Sequence, residues 1–146
     1  MSAMEPLVQL IGIDPKKLSK EEYMFLEMEL FTKLYEAFRE YARQQYKDYF
    51  SLMHFNVKQE ETMLDFSLSR LLVKDILSTE EYTIEGIAYY TNVPVEIVEE
   101  VVLGNNANPS ALFVRKMMEL HRLVRPMLYQ CMMKKVLTGY KEQLKI

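Results

Sequence analysis

The sequence predicts an all-α protein. Three observations carry that expectation. Only four glycines and five prolines punctuate 146 residues. Leu, Met, Glu, Lys and Ala, which favour helix, fill the stretches between them. No segment sustains the apolar–polar alternation of a half-buried strand; apolar residues return instead at three- and four-residue steps.

Residues 1–18 read as an irregular lead-in, broken by Pro6 and by Asp14-Pro15. Residues 19–58 follow as a long N-terminal helix, regular over about residues 20 to 50. Ser19 and Glu22 form a capping-box pair, the hydroxyl accepting a helix-start N–H and the carboxylate reaching back. Phe25, Leu26, Leu30, Phe31, Leu34, Tyr35, Phe38, Tyr41 and Ala42 make one apolar stripe, read as core or dimer packing. The helix's mixed charges, with Glu36–Glu40 and Arg39–Arg43 at i,i+4 spacing, read as a solvated face. His54 terminates this helix rather than ligating a metal. A second helix spans about Glu60 to Leu77, with Met63, Leu64, Leu68, Leu71, Leu72 and Ile76 on one face. Ser78 to Tyr82 is a turn.

From Thr83 the texture changes. Thr83 caps a short helix ending near Thr91. Asn92 tolerates the left-handed backbone that a tight turn needs. Pro94 suits a helix start. Val95 to Leu103 is a second short helix, closed by Gly104. Pro109-Ser110 opens a further helix carrying Leu112, Phe113, Met117, Leu120 and Val124. Pro126 must kink or break the chain, because proline lacks the helical N–H and clashes with the preceding turn. A last helix, Met127 to about Leu144, carries Leu128, Cys131, Met132, Val136 and Leu137. Cys131 reads as a buried small hydrophobe. His121, near Arg122 and Arg125, reads as a surface or interface group that could join phosphate contacts.

Composition limits the function classes. Hydrophobic residues make up 49% and charged residues 27%, enough for a packed core rather than a disordered chain. The length fits one domain over residues 1–146. Eighteen basic and 21 acidic residues leave a net charge of −3, which is not the basic balance of a nucleic-acid or anionic-membrane binder. One cysteine rules out an intramolecular disulfide and a cysteine-only zinc site, and fits a reducing compartment. No apolar run reaches the roughly 18 to 20 residues that span a bilayer, and Met1 to Leu10 lacks a signal-peptide pattern. The expectation is a soluble cytoplasmic protein without membrane contact. No glycine-rich phosphate loop, HExxH, CxxC or GxSxG occurs. The chain is therefore expected not to be an enzyme, with no catalytic residue, no metal and no cofactor.

Thr83 to Gly104 has the layout of a helix-turn-helix. Ile87 and Ala88 on the first helix must meet Val98 and Val101 on the second. The small Ala88 lets the helices cross closely, and Val93 plugs the corner. Thr83, Ala88, Val93, Val98, Val101, and Gly104 followed by Asn108-Pro109-Ser110, resemble the lambda-repressor-like helix-turn-helix family of Cro, phage repressors and xenobiotic-response-element-type regulators. One extra loop residue separates the glycine from the Pro-Ser. The likeness is close over Thr83 to Ser110 and extends over about residues 60–123 with the flanking helices. It implies an all-α lambda-repressor-like bundle over residues 59–124, with added long helices at 19–58 and 125–146.

The resemblance also implies binding of double-stranded DNA, usually as a dimer, with residues 94–103 as the reading helix in the major groove. Positions facing DNA would be Ile84, Pro94, Val95, Glu96, Glu99 and Glu100. Asn105, Asn106, Arg115 and Lys116, with Arg122 beyond them, would contact phosphates. Glutamate can accept from cytosine N4, but three carboxylates also meet the phosphate field unfavourably. Residues 79–114 hold six acidic and no basic side chains, whereas residues 115–146 hold eight basic and two acidic. The basic footprint thus follows the reading helix rather than lying on it.

Three functions follow for comparison. One is a DNA-binding transcription regulator of the helix-turn-helix type. The second keeps that shape but binds protein, its acidic face meeting a basic partner or the basic C-terminal helix of a second copy; 11 methionines and 10 tyrosines suit adaptable contacts. The third is a small-molecule pocket lined by Tyr, Met and Phe, set against the plainer reading of those residues as core. The flanking helices are expected to pair subunits into a homodimer.

Overall fold

A computed structural model describes residues 14–106 and 108–144; most of the expected lead-in lies outside them. Those residues form seven α-helices and no strand. They are α1 (Lys20–Gln45), α2 (Lys47–Leu52), α3 (Val57–Ser78), α4 (Ile84–Thr91), α5 (Val95–Leu103), α6 (Ala111–Val124) and α7 (Pro126–Leu144). A single 3-10 turn, Pro15–Lys17, precedes α1. No helix among the described residues is long and apolar enough to cross a membrane.

The chain divides into two compact units, one of residues 39–124 and one joining residues 1–38 to 125–146. The first extends about 20 residues upstream of the expected 59–124 module and ends at the same residue.

The unit of residues 39–124 is held by α3 and α6. α3 packs against α5 and α6, and α4 packs against the same two helices. Leu64, Leu68, Leu72, Val73 and Ile76 of α3 are buried, as are Phe113, Met117, Met118 and Leu120 of α6. Removing such side chains from water supplies about 1.5–3 kcal/mol each. Asn56 caps α3 and Gln59 reaches back in a complete capping box, so the helix starts three residues before the expected Glu60.

The expected single helix over 19–58 is interrupted. The Ser19–Glu22 capping box forms at its start, with hydrogen bonds of 3.1 and 3.3 Å. However, α1 ends at Gln45, α2 runs only to Leu52, and His54 adopts φ 55° just beyond it. No glycine or proline marks this reversal. It is set by aromatic packing: Phe50 is buried and stacks on Phe55 at 5.8 Å, with Tyr46 and Tyr49 at about 6 Å. Phe55 N–H also closes onto the Phe50 carbonyl at 3.1 Å.

The charges of α1 are also more than a solvated face. Arg39 pairs with Glu61 and Asp65 of α3, and Arg43 pairs with Glu61 and with Glu40. Arg39 Nη2 additionally donates to the Glu61 carbonyl at 3.1 Å. These fork-shaped guanidinium contacts fix the last turns of α1 to the start of α3.

In the other unit the buried side chains come from α1 and α7: Leu30, Leu34, Phe38, Tyr129, Met132 and Met133. Glu27 is buried on the same side of α1. The expected stripe is therefore too broad, since Phe25 is 66% exposed and Tyr41 40%. Cys131 is exposed rather than buried. The inward face of α7 is phased on Tyr129, Met132 and Met133, which places Cys131 outside it. Pro126 breaks the helix as expected: α6 stops at Val124 and α7 begins at the proline.

The helix pair around Asn92 and its neighbours

The local chemistry of residues 83–110 follows from its caps. Thr83 Oγ1 accepts from Gly86 N–H at 3.0 Å and starts α4. Asn92 ends it with φ 57° and ψ 47°, the left-handed conformation. Val93 N–H then closes onto the Ala88 carbonyl at 3.1 Å. Pro94 leads into α5, which ends the same way: Gly104 has φ 80°, and Asn105 N–H closes onto Glu100 C=O at 2.8 Å. Ser110 Oγ accepts from Phe113 N–H at 3.1 Å and opens α6.

Between the caps, Ile87, Ala88, Thr91, Val98 and Val101 are buried, and α4 packs on α5. Thr91 had no reading in the sequence; its hydroxyl returns to the Ile87 carbonyl at 2.8 Å, which makes a buried threonine tolerable. The outward side of α5 carries Glu96, Glu99 and Glu100, all exposed. Pro94 and Asn105 are exposed, while Ile84, Val95 and Asn106 are half-buried. A shallow concavity at the turn is lined by Glu85, Ala88, Tyr89, Asn92, Val93, Pro94 and Val95. Tyr89 stands in it 91% exposed.

Two of the cations expected to contact phosphates share one carboxylate neighbour. Arg115 and Lys116 both face Glu119 on α6, at 3.8 and 3.7 Å. Glu119 is itself buried, and its charge helps to raise the pKa of Tyr90 on α4. Its carboxylate thus lies near Tyr90 as well as near Arg115 and Lys116. The i,i+4 and i,i+3 spacings made those pairs legible; the link to Tyr90 was not. Arg70 of α3 was also missed. Its Nε donates to the Val102 carbonyl at 2.9 Å, where a cation meets the negative end of the α5 dipole.

His121 is not a surface group. It is fully buried, with Nε2 2.6 Å from Asp75 Oδ2 of α3. The residues Met117 to His121 are buried in succession because α6 packs on both α3 and α4, whereas the expected core residue Leu112 points outward.

Comparison with protein-family models, curated proteins and solved structures found no match. Among the described residues no three His, Cys, Asp or Glu side chains converge to hold a metal. The arrangement therefore has to be judged on its own chemistry: an outward carboxylate helix, a capped turn with an exposed tyrosine, and cations tied to Glu119.

Tyr90 supplies a pH signature for this cluster. Burial, then the Glu119 charge, then Tyr82 and the hydrogen bond to Glu119 raise its pKa above 10.0. A raised folded-state pKa favours folding below the ordinary tyrosine range, and that contribution is lost as pH rises through the raised value. Stability of the wild type should fall above about pH 10, and Tyr90→Phe should flatten that fall. Urea titrations at pH 8 to 11 check it; parallel curves for the two proteins would contradict the assignment.

Proposed function

We propose that residues 57–124 form a lambda-repressor-like helix-turn-helix module whose α5 face docks a basic protein surface. The observation carrying this reading is the charge of that face. Glu96, Glu99 and Glu100 are exposed together, and residues 79–114 contain no lysine or arginine. Arg115 and Lys116, the nearest cations in sequence, are engaged by Glu119. A fold of this shape does not by itself imply its usual ligand; the side chains at the face decide. Carboxylates repel phosphate and attract ammonium and guanidinium groups, and the effect steers encounter as well as register. The module acts as a binding element, with no catalytic part.

DNA binding is the second reading. It is favoured by the two left-handed caps, which leave α5 standing between turns with Asn105 and Asn106 after it.

Fluorescence anisotropy with a lysine- and arginine-rich helical peptide and with random-sequence duplex DNA, both at low salt, tests the two. The peptide should bind wild type, weaken with salt, and lose at least tenfold in affinity with the triple change Glu96→Lys, Glu99→Lys, Glu100→Lys. A control of equal charge change, Glu36→Lys, Asp48→Lys, Glu81→Lys, should lose much less. Equal losses in both triples would sink the protein reading. Sequence-dependent duplex binding, reduced by Arg115→Ala with Lys116→Ala, would replace it with the DNA reading.

A further inference from the structure

The unit of residues 39–124 carries an apolar groove away from α5. A concavity of about 450 Å³ is lined by Phe55, Lys58, Gln59, Thr62, Met63 and Phe66. Met63 also lines a second concavity of about 360 Å³ beside it. Phe66 in the larger groove is 57% exposed, and Leu52 and Val57, close by in sequence, are 75% and 74% exposed. So much exposed apolar surface in one stretch of chain marks a contact face. Lys58 is the one charged residue lining the larger groove.

The first turns of α1 present a matching edge. Met24, Phe25 and Met28 are all at least half exposed. On a helix the neighbours of Phe25 lie three and four residues away. They are Glu21, Glu22, Met28 and Glu29, so an apolar ridge is flanked by carboxylates. This edge has the two chemistries the groove asks for: unbranched and aromatic side chains to fill it, and negative charge for Lys58. Met24, Phe25 and Met28 on the edge and Phe66 in the groove are exposed.

We propose that a second copy of this chain covers them, the Met24–Phe25–Met28 edge of each copy lying in the Phe55–Met63–Phe66 groove of the other. A two-fold pairing makes this contact twice, closes the assembly and leaves neither apolar surface in water. Methionines on the edge and in the groove adapt to an imperfect fit. The pairing is independent of what α5 binds.

Sedimentation equilibrium of the full chain tests it. Wild type should be dimeric at micromolar concentration. Phe25→Asp and Phe66→Asp should each raise the dissociation constant at least 100-fold without changing the circular dichroism spectrum, since both side chains are exposed. Mixing the two variants should restore a heterodimer, because one of its two contacts retains both native partners. With Cys131→Ser as background, Phe25→Cys and Phe66→Cys together should give a disulfide between chains on oxidation. A wild type that stays monomeric at 100 µM would overturn the proposal. So would variants that dimerise like wild type, or a disulfide formed only within one chain.

Discussion

Leu72→Ala is expected to destabilise the 39–124 unit by about 2–5 kcal/mol. Leu72 has no exposed surface and lies on α3, the helix that supports both α5 and α6. Deleting three carbons there removes their transfer free energy and leaves a cavity that Leu68, Val73 and Ile76, equally buried on the same helix, are not free to fill. The position decides how α5 is held. α5 has nine residues, too few to persist alone, so its outward carboxylates keep their places only while α3 and α4 hold its inner face. The control is Leu112→Ala, which lies on the exposed side of α6 and should change stability by no more than about 0.5 kcal/mol. Urea denaturation measures both. Equal costs would mean that burial in this unit is not organised around α3.

The parts of the fold that could be read from the sequence are those with a local cause. Thr83, Asn92, Pro94, Gly104, Ser110 and Pro126 each act on their own few residues, through a cap, a left-handed turn or a missing N–H, and each stands where its chemistry demands. Where distant packing decides, the structure departs from the local pattern. Nothing at Tyr46 forbids continuing the helix, yet the chain turns so that Phe50 can reach Phe55. On α7 Met132 is buried as expected, but the inward face continues through Tyr129 and Met133 rather than through Leu128 and Cys131, which are apolar too. At the site, Glu96, Glu99 and Glu100 were legible as an outward face, since the valines at 98 and 101 claim the inward one. The fate of Arg115 and Lys116 was half legible: their spacing to Glu119 is local, but its burial and its tie to Tyr90 need α4 to be in place.

His121 is the clearest case of a residue whose meaning changes with its surroundings, and it carries the second large effect. An imidazole beside two arginines in sequence suggests a cationic surface, but the side chain lies inside, 2.6 Å from a carboxylate 46 residues away. Asp75 is partly exposed while His121 is not, so the contact runs from the interior of α6 to the rim of α3. Hydrogen bonds to charged groups contribute about 1.5–3 kcal/mol, and here the strength is raised by the dry side of the pair. A double-mutant cycle should isolate it. Asp75→Ala and His121→Leu are each expected to destabilise, and the double variant should lose about 1–3 kcal/mol less than their sum. His121→Leu alone bears a second cost, because leucine does not reproduce the ring's shape among Met117, Met118 and Leu120; that cost appears in both arms of the cycle and cancels. Additive losses would place the stabilising role of His121 in its packing alone. A coupling of the expected size would make the α3–α6 contact, on which α5 depends, a polar latch at its rim as well as an apolar core.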